Sequence, residues 1–336
     1  MRHTGMSPIV EAWATCRTSA ALNWPPDGLL RAKGDATVSV VIPARNEAAT
    51  VGTIVRAIRA ALVQPVPLVD EIIVVDSRSV DETAAEARAA GAFVVSQDDV
   101  TGGLPPMHGK GGAMWAGLAT ASGDIVAFVD ADVDPFDPRF VSGLLGPLLT
   151  DPSIAFVKGF YHRPLAFGGY SEPDGGGRVT ELVARPLLNL FWPDLAGFVQ
   201  PLAGEAAGRR EVLEQVPFVS GYGVEIAMLV DLLDLAGLNV LAQVDLGERA
   251  HRNQDTEALG RMAAQIQLTV WSRLVRQGRA DGSVPLPGVL TQFRRGGDQP
   301  LPNLGREIVV ADVGIDERPP LIAAGLPRPA PRTAAR

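Results

Sequence analysis

The stretch FVDADVD (128–134) sets three carboxylates, Asp130, Asp132 and Asp134, at the end of the apolar run IVAFV. Carboxylates this close repel one another unless a cation sits among them. Asp130 and Asp132 are two residues apart, so on a regular strand their side chains would share a face. Two carboxylates together with diphosphate oxygens suit a hard divalent ion such as Mg²⁺ or Mn²⁺. Such an ion would offset the charge building on a departing nucleoside diphosphate. Asp134 precedes Pro135 and reads as turn chemistry. Lys110, in HGKGGA, stands at a helix start, where a cation beside exposed backbone N–H groups makes a phosphate site; the bland alternative is a surface lysine. Asn46 and Glu47 offer an amide and a carboxylate to a base edge, or else a helix N-cap with a first-turn acid. Ser77, after Asp76, is a nucleoside contact or an Asp-Ser turn. In GGGRVTE (175–181), free N–H groups, the Arg178 guanidinium and the Thr180 hydroxyl could converge on one anion, or the glycines could form a hinge. Glu225, in GYGVEI, could accept hydrogen bonds from sugar hydroxyls or be a solvated helix acid.

These residues need elements to hold them. VSVVIPA (38–44) reads as a strand buried on both faces. NEAATVGTIVRAIRAAL follows as a helix with Asn46 as a candidate N-cap. EIIVVDS (71–77), AFVVSQ and DIVAFVDAD continue as strands, separated by helices ending at Gly91 and starting at Gly109. That β-α-β-α-β-α-β order implies right-handed crossovers and a mostly parallel, Rossmann-like sheet flanked by helices. Ligands bind such sheets beyond the carboxyl ends of the strands, where Asn46, Ser77, Asp130 and Asp132 all fall. Neither GxGxxG nor GxxxxGK[ST] is present. Further on, strands are expected at 154–161 and in NVLAQVDLG, and helices after the Gly run, within 217–237 and over roughly 255–277. The division expected is an N-terminal arm (1–36), a regular first half (37–160), a less regular second half (161–280) and a C-terminal extension with a mobile tail (281–336).

The bulk properties narrow the partners. The 336 residues are 46% hydrophobic and 20% charged, a globular composition. The net charge of −8 argues against nucleic acid and against anionic membrane surfaces. One cysteine, Cys16, excludes an internal disulfide and fits a reducing cytoplasm. There is no apolar run long enough to span a membrane and no signal-like N-terminus.

The combination VSVVIPARNE, EIIVVDSRSVDET, GKGGAMWAGL and GDIVAFVDADV resembles family-2-like glycosyltransferases of the GT-A fold. GGGRVTELVARPLLNLFWPDL, QPLAGE, PFVSGYGVEI and LGERAHRN resemble the actinobacterial glucosyl-3-phosphoglycerate synthases (glycosyltransferase family 81) and their mannosyl relatives. The resemblance spans roughly residues 20–280. It implies retaining, metal-dependent transfer of glucose from UDP-glucose to the C2 hydroxyl of 3-phosphoglycerate by a homodimer. It assigns Asp132 and His251 as ligands of Mg²⁺ or Mn²⁺. It puts the nucleotide sugar on Pro43, Ala44, Asn46, Glu47, Ser77, Lys110, Asp130, Ala131, Gly204, Tyr222 and Glu225, with Asp132, Lys110 and Glu225 closest to the chemistry. It puts the acceptor on Gly177, Arg178, Thr180 and Asn253. Competing expectations are GDP-mannose as donor and a polyprenyl-phosphate acceptor; the latter calls for a membrane-facing element that the sequence lacks.

Overall fold

The computed structural model describes residues 6–162, 165–167, 170–172, 177–249, 255–295 and 306–332. His251 and Asn253 lie outside the described residues. Eight strands form one sheet: β1 (Thr18–Ala20), β2 (Val38–Ala44), β3 (Glu71–Asp76), β4 (Phe93–Ser96), β5 (Ile125–Phe128), β6 (Phe156–His162), β7 (Ala206–Arg209) and β8 (Leu241–Glu248). Their spatial order is β1-β8-β6-β7-β5-β2-β3-β4. All pairs are parallel except those of β7, which runs antiparallel between β5 and β6. Both expected halves of the chain thus contribute strands to a single sheet.

β2 is β-branched along most of its length because helices cover it on both faces. The helix Val51–Leu62 buries Val51, Ile54, Val55, Ile58 and Leu62 on one side of the sheet. The helix Lys110–Thr120 lies on the other side with every residue after Lys110 buried. Its glycines permit the contact: a Cβ on Gly117 would stand 2.2 Å from Val41 Cγ1, and one on Gly111 only 1.7 Å from the Val219 carbonyl oxygen. The helices Val224–Ala236 and Thr256–Arg276 complete that layer. Asp255 caps the second of them through the Ala258 N–H.

Several expectations are corrected. Residues 6–36 are not an irregular arm. They contain the helix Pro8–Cys16, capped by Ser7, the edge strand β1 and the helix Pro26–Lys33. Each element is too short for its periodicity to stand out, and β1 gains its place by pairing with β8. Asn46 is not an N-cap, since the helix begins at Val51. The helix expected after the Gly run is present from Arg178 and contains a π-helical turn, Thr180–Ala184, before the α-helix Arg185–Phe191. Pro186 lacks the N–H that an uninterrupted α-helix would use. β7 was missed because AAGR carries no strand pattern. The hairpin Val289–Arg295 with Arg306–Asp312 was missed as well. The expected mobile tail is docked through residue 332. Glu317–Arg318 pairs with Phe218–Val219, Arg328 donates to the Ser122 carbonyl and Arg332 to that of Thr120.

Candidate active site

The carboxyl ends of β2, β3 and β5 run out beside the start of the helix Lys110–Thr120. A pocket of about 260 Å³ opens there, lined by Pro43, Ala44, Arg45, Glu47, Ser77, Gly109, Lys110, Ala113, Asp130, Ala131, Asp132 and Tyr222. β5 ends at Phe128, so Asp130 and Asp132 sit in the turn beyond it rather than on one strand face. They nevertheless converge. Lys110 Nζ lies 2.5 Å from Asp130 Oδ1, and Arg249 reaches Asp132 Oδ1 at 2.8 Å and Asp130 Oδ2 at 3.5 Å. The cation that the spacing demanded is supplied, within the chain itself, by two basic side chains.

Gly204 abuts this pair, since a Cβ there would fall 2.1 Å from Asp130 Oδ2. Glu225, in the first turn of the helix Val224–Ala236, is buried and accepts an ion pair from Lys110 at 2.9 Å. Lys110 is therefore clamped between two acids. Burial opposes its charge, but Asp130 and Glu225 outweigh burial and hold the ammonium above its ordinary range. Ser77 donates its hydroxyl proton to Gln97 Oε1 at 2.8 Å, which leaves its lone pairs to accept from a ligand. Glu47 is fixed by its own amide, which donates to Thr83 Oγ1. Asn46 is not part of the lining. It adopts a left-handed conformation, φ 57°, and its Oδ1 accepts from the Val80 amide, so it shapes the turn behind the pocket. Tyr222 stands exposed at the rim.

The acceptor candidates Gly177, Arg178 and Thr180 lie outside this lining. Gly177 has φ 82°, a conformation that favours glycine, and Thr180 is buried where the π-turn begins.

The sequence reading underweighted the layer beneath the pocket. Arg249, which from its place beside His251 could equally pair with acids or help hold phosphate, is a hub joining Asp130, Asp132 and fully buried Glu205. Its guanidinium lies 5.6 Å from the centre of the Tyr161 ring. Burial disfavours the charge on Glu205 and Asp130 adds to the effect, pushing its carboxyl up despite Arg249 and Lys110. Lys158, on β6, is also buried, with Glu225, Lys110, Glu205 and Asp130 as its charged neighbours. A lysine inside the apolar strand IAFVKGFY was the available signal.

The donor set fits a divalent ion: hard carboxylate oxygens, a half-exposed Asp132 and a glycine where a side chain would collide with Asp130. Among the described residues, Asp130 and Asp132 are the carboxylates that could hold it.

Residues 39–216, which include both aspartates, Lys110 and Glu205, match Glycosyl transferase family 2. This chain belongs to that family. It is 48% identical over 309 residues to glucosyl-3-phosphoglycerate synthase of Mycolicibacterium smegmatis, covering 92% of this chain and 97% of the relative. The same-named protein of Petrotoga mobilis is 41% identical over 293 residues, covering 87% and 88%. Among solved structures, mannosyl-3-phosphoglycerate synthase from Rubrobacter xylanophilus superposes with a TM-score of 0.84 at 41% identity, over 93% of this chain and 99% of that one. Glucosyl-3-phosphoglycerate synthase from Mycobacterium tuberculosis, in complex with Mn²⁺, UDP and phosphoglyceric acid, gives 0.75 at 44%, over 89% and 95%. The chain is a hexosyltransferase similar to glucosyl-3-phosphoglycerate synthases, on a GT-A type sheet. Among its described residues, no helix is long and apolar enough to cross a membrane.

Proposed function

We propose that this glycosyltransferase moves glucose from UDP-glucose to the C2 hydroxyl of 3-phosphoglycerate, with retention of configuration and with Mg²⁺ or Mn²⁺. The observation that carries the proposal is the convergence of Asp130, Asp132 and Lys110 on one pocket, with buried Glu225 paired to Lys110. The names and ligands of the similar proteins agree with it.

Asp130 and Asp132, with His251, would hold the ion, which supplies a positive charge for the leaving diphosphate when bound. Lys110, locked in its charged form, adds a second cation on the same side. Glu225 accepts hydrogen bonds from sugar hydroxyls once Lys110 turns toward phosphate. Ser77, with only acceptor capacity left, suits an imide N–H of uracil. Pro43, Ala44 and Glu47 form the base slot and Ala131 the backbone beneath the ribose. Gly177, Arg178, Thr180 and Asn253 take the acceptor's phosphate and carboxylate. No carboxylate stands out as the nucleophile of a double displacement. Catalysis rests on orientation and charge stabilisation, with the departing diphosphate assisting deprotonation of the acceptor. A cytoplasmic location fits both substrates and the single cysteine.

The active form would be a homodimer. The hairpin Val289–Arg295/Arg306–Asp312 lays Gln292 and Arg294 on Glu257, while Val289, Phe293, Ile308 and Val310 share the opposite, exposed face. A lone two-stranded hairpin is marginal in water, and a second copy would cover that apolar face.

UDP release by the purified protein with UDP-glucose and Mg²⁺ tests the reading. Addition of 3-phosphoglycerate should stimulate it strongly, and Asp132→Ala should abolish it. Folded protein that ignores 3-phosphoglycerate would overturn the acceptor assignment. The structural likeness to mannosyl-3-phosphoglycerate synthase makes GDP-mannose the donor to run in parallel.

A further inference from the structure

Glu205 is not among the residues that line the pocket, yet it is fully buried beside Arg249, which bridges the aspartate pair. Its Oε1 accepts from Arg249 Nη1 at 3.1 Å, and the Tyr161 hydroxyl stands beside the carboxylate as a further donor. Arg249 is nearly as buried. Its other contacts run outward to Asp132 and Asp130, and its backbone N–H is tied to the His162 carbonyl. A guanidinium does not give up its proton, so this position always carries a positive charge. That has two consequences for a divalent ion. The charge draws the two aspartates together before the ion arrives. It also repels the ion, and it neutralises one of the carboxylates the ion needs, unless another acid offsets it.

We propose that Glu205 is a positioning residue for the metal: it anchors Arg249 from below and offsets its charge, so that Asp130 and Asp132 stay gathered and keep their charge for the ion. The inference rests on the reading of these aspartates as the metal carboxylates. A buried acid is costly. Its place against Arg249, which bridges both aspartates, gives that cost a function. Residues behind metal ligands commonly change affinity ten- to a hundredfold when altered.

The test is Mn²⁺ binding to the full-length, substrate-free protein, read from the room-temperature EPR signal of free Mn²⁺, with a thermal melt of each variant. Glu205→Gln keeps the shape and an acceptor oxygen but removes the charge. It should weaken Mn²⁺ binding roughly tenfold. A folded Glu205→Gln protein that binds Mn²⁺ like the unaltered chain overturns the proposal. The double variant Glu205→Gln/Arg249→Met removes both members of the buried pair, a change that folds tolerate better than loss of one. It should bind Mn²⁺ more tightly than Glu205→Gln alone, because the unbalanced cation is gone, and less tightly than the unaltered protein, because Arg249 no longer gathers the aspartates. Binding as weak as that of Glu205→Gln alone would point to packing and overturn the proposal. If the unaltered protein binds no Mn²⁺, the metal reading falls, and this inference with it.

Discussion

Lys158 shows how far a functional site departs from what stability alone would choose. Burial pushes its ammonium down from 10.5 to about 8; Glu225 works against the shift and Lys110 adds to it. A base whose value falls on folding binds fewer protons folded than unfolded between those two pH values. The fold therefore gains stability from this group as pH rises through that window and carries the full cost below it. The shift corresponds to about 3 kcal/mol. Lys158→Met should raise the melting temperature at pH 7, by about 2 kcal/mol of stability, and raise it less at pH 10. Calorimetry at both values checks this, and an equal gain at both would contradict it. Much of the site was legible residue by residue. Asp130 and Asp132 stand out by type and spacing, whereas Lys110 and Glu225 needed the family resemblance to set them apart from a surface lysine and a helix acid. Glu205 and Arg249 do not stand out, because a charge balanced by a partner 44 positions away leaves no local pattern.

At the scale of elements, the helix Lys110–Thr120 places the key cation, and its glycines decide where it sits. Gly111 faces the Val219 carbonyl with no room for a Cβ, and Val219 belongs to the two-residue strand held by Glu317–Arg318. Gly111→Ala must push the helix start away and carry Lys110 with it. It should cost about 2 kcal/mol and raise the KM for donor. Gly28→Ala, whose added Cβ would meet only Pro25 Cγ at 3.6 Å, is the matched control and should change neither. Donor kinetics and melts of both variants check the pair; unaltered kinetics in a folded Gly111→Ala protein would contradict it. The β-branched strands and the amphipathic helix Val51–Leu62 were readable because burial on the sheet imposes a period. The edge strand β1, the inserted β7 and the hairpin were not, since pairing partners rather than their own residues define them.

At the scale of the whole molecule, the exposed hairpin face is the surface that the proposed homodimer would bury. Phe293 is 54% exposed and Val310 63%, side by side with Ile308 across the hairpin. Phe293→Glu should convert a dimer to a monomer in light scattering at micromolar concentration without unfolding the sheet. A dimer that persists would place the interface elsewhere. The composition did not reveal that the last residues close the structure. Their anchors are single arginines reaching Ser122, Asp124 and Glu71 at the edge of the sheet opposite the site.

Those long-range closures also set an order in time. Trp13 donates to the Leu241 carbonyl 228 positions later, β1 pairs only with β8, and Trp115 donates to the Pro319 carbonyl 204 positions later. A chain emerging from the ribosome can build β2 to β5 early, but its first strand has no neighbour until residues 241–248 are made. Its apolar N-terminal helix, with Val10 and Trp13, must wait uncovered through most of translation. The N-terminal helix and the edge strand therefore reach their final places only after residues 241–248 have been made.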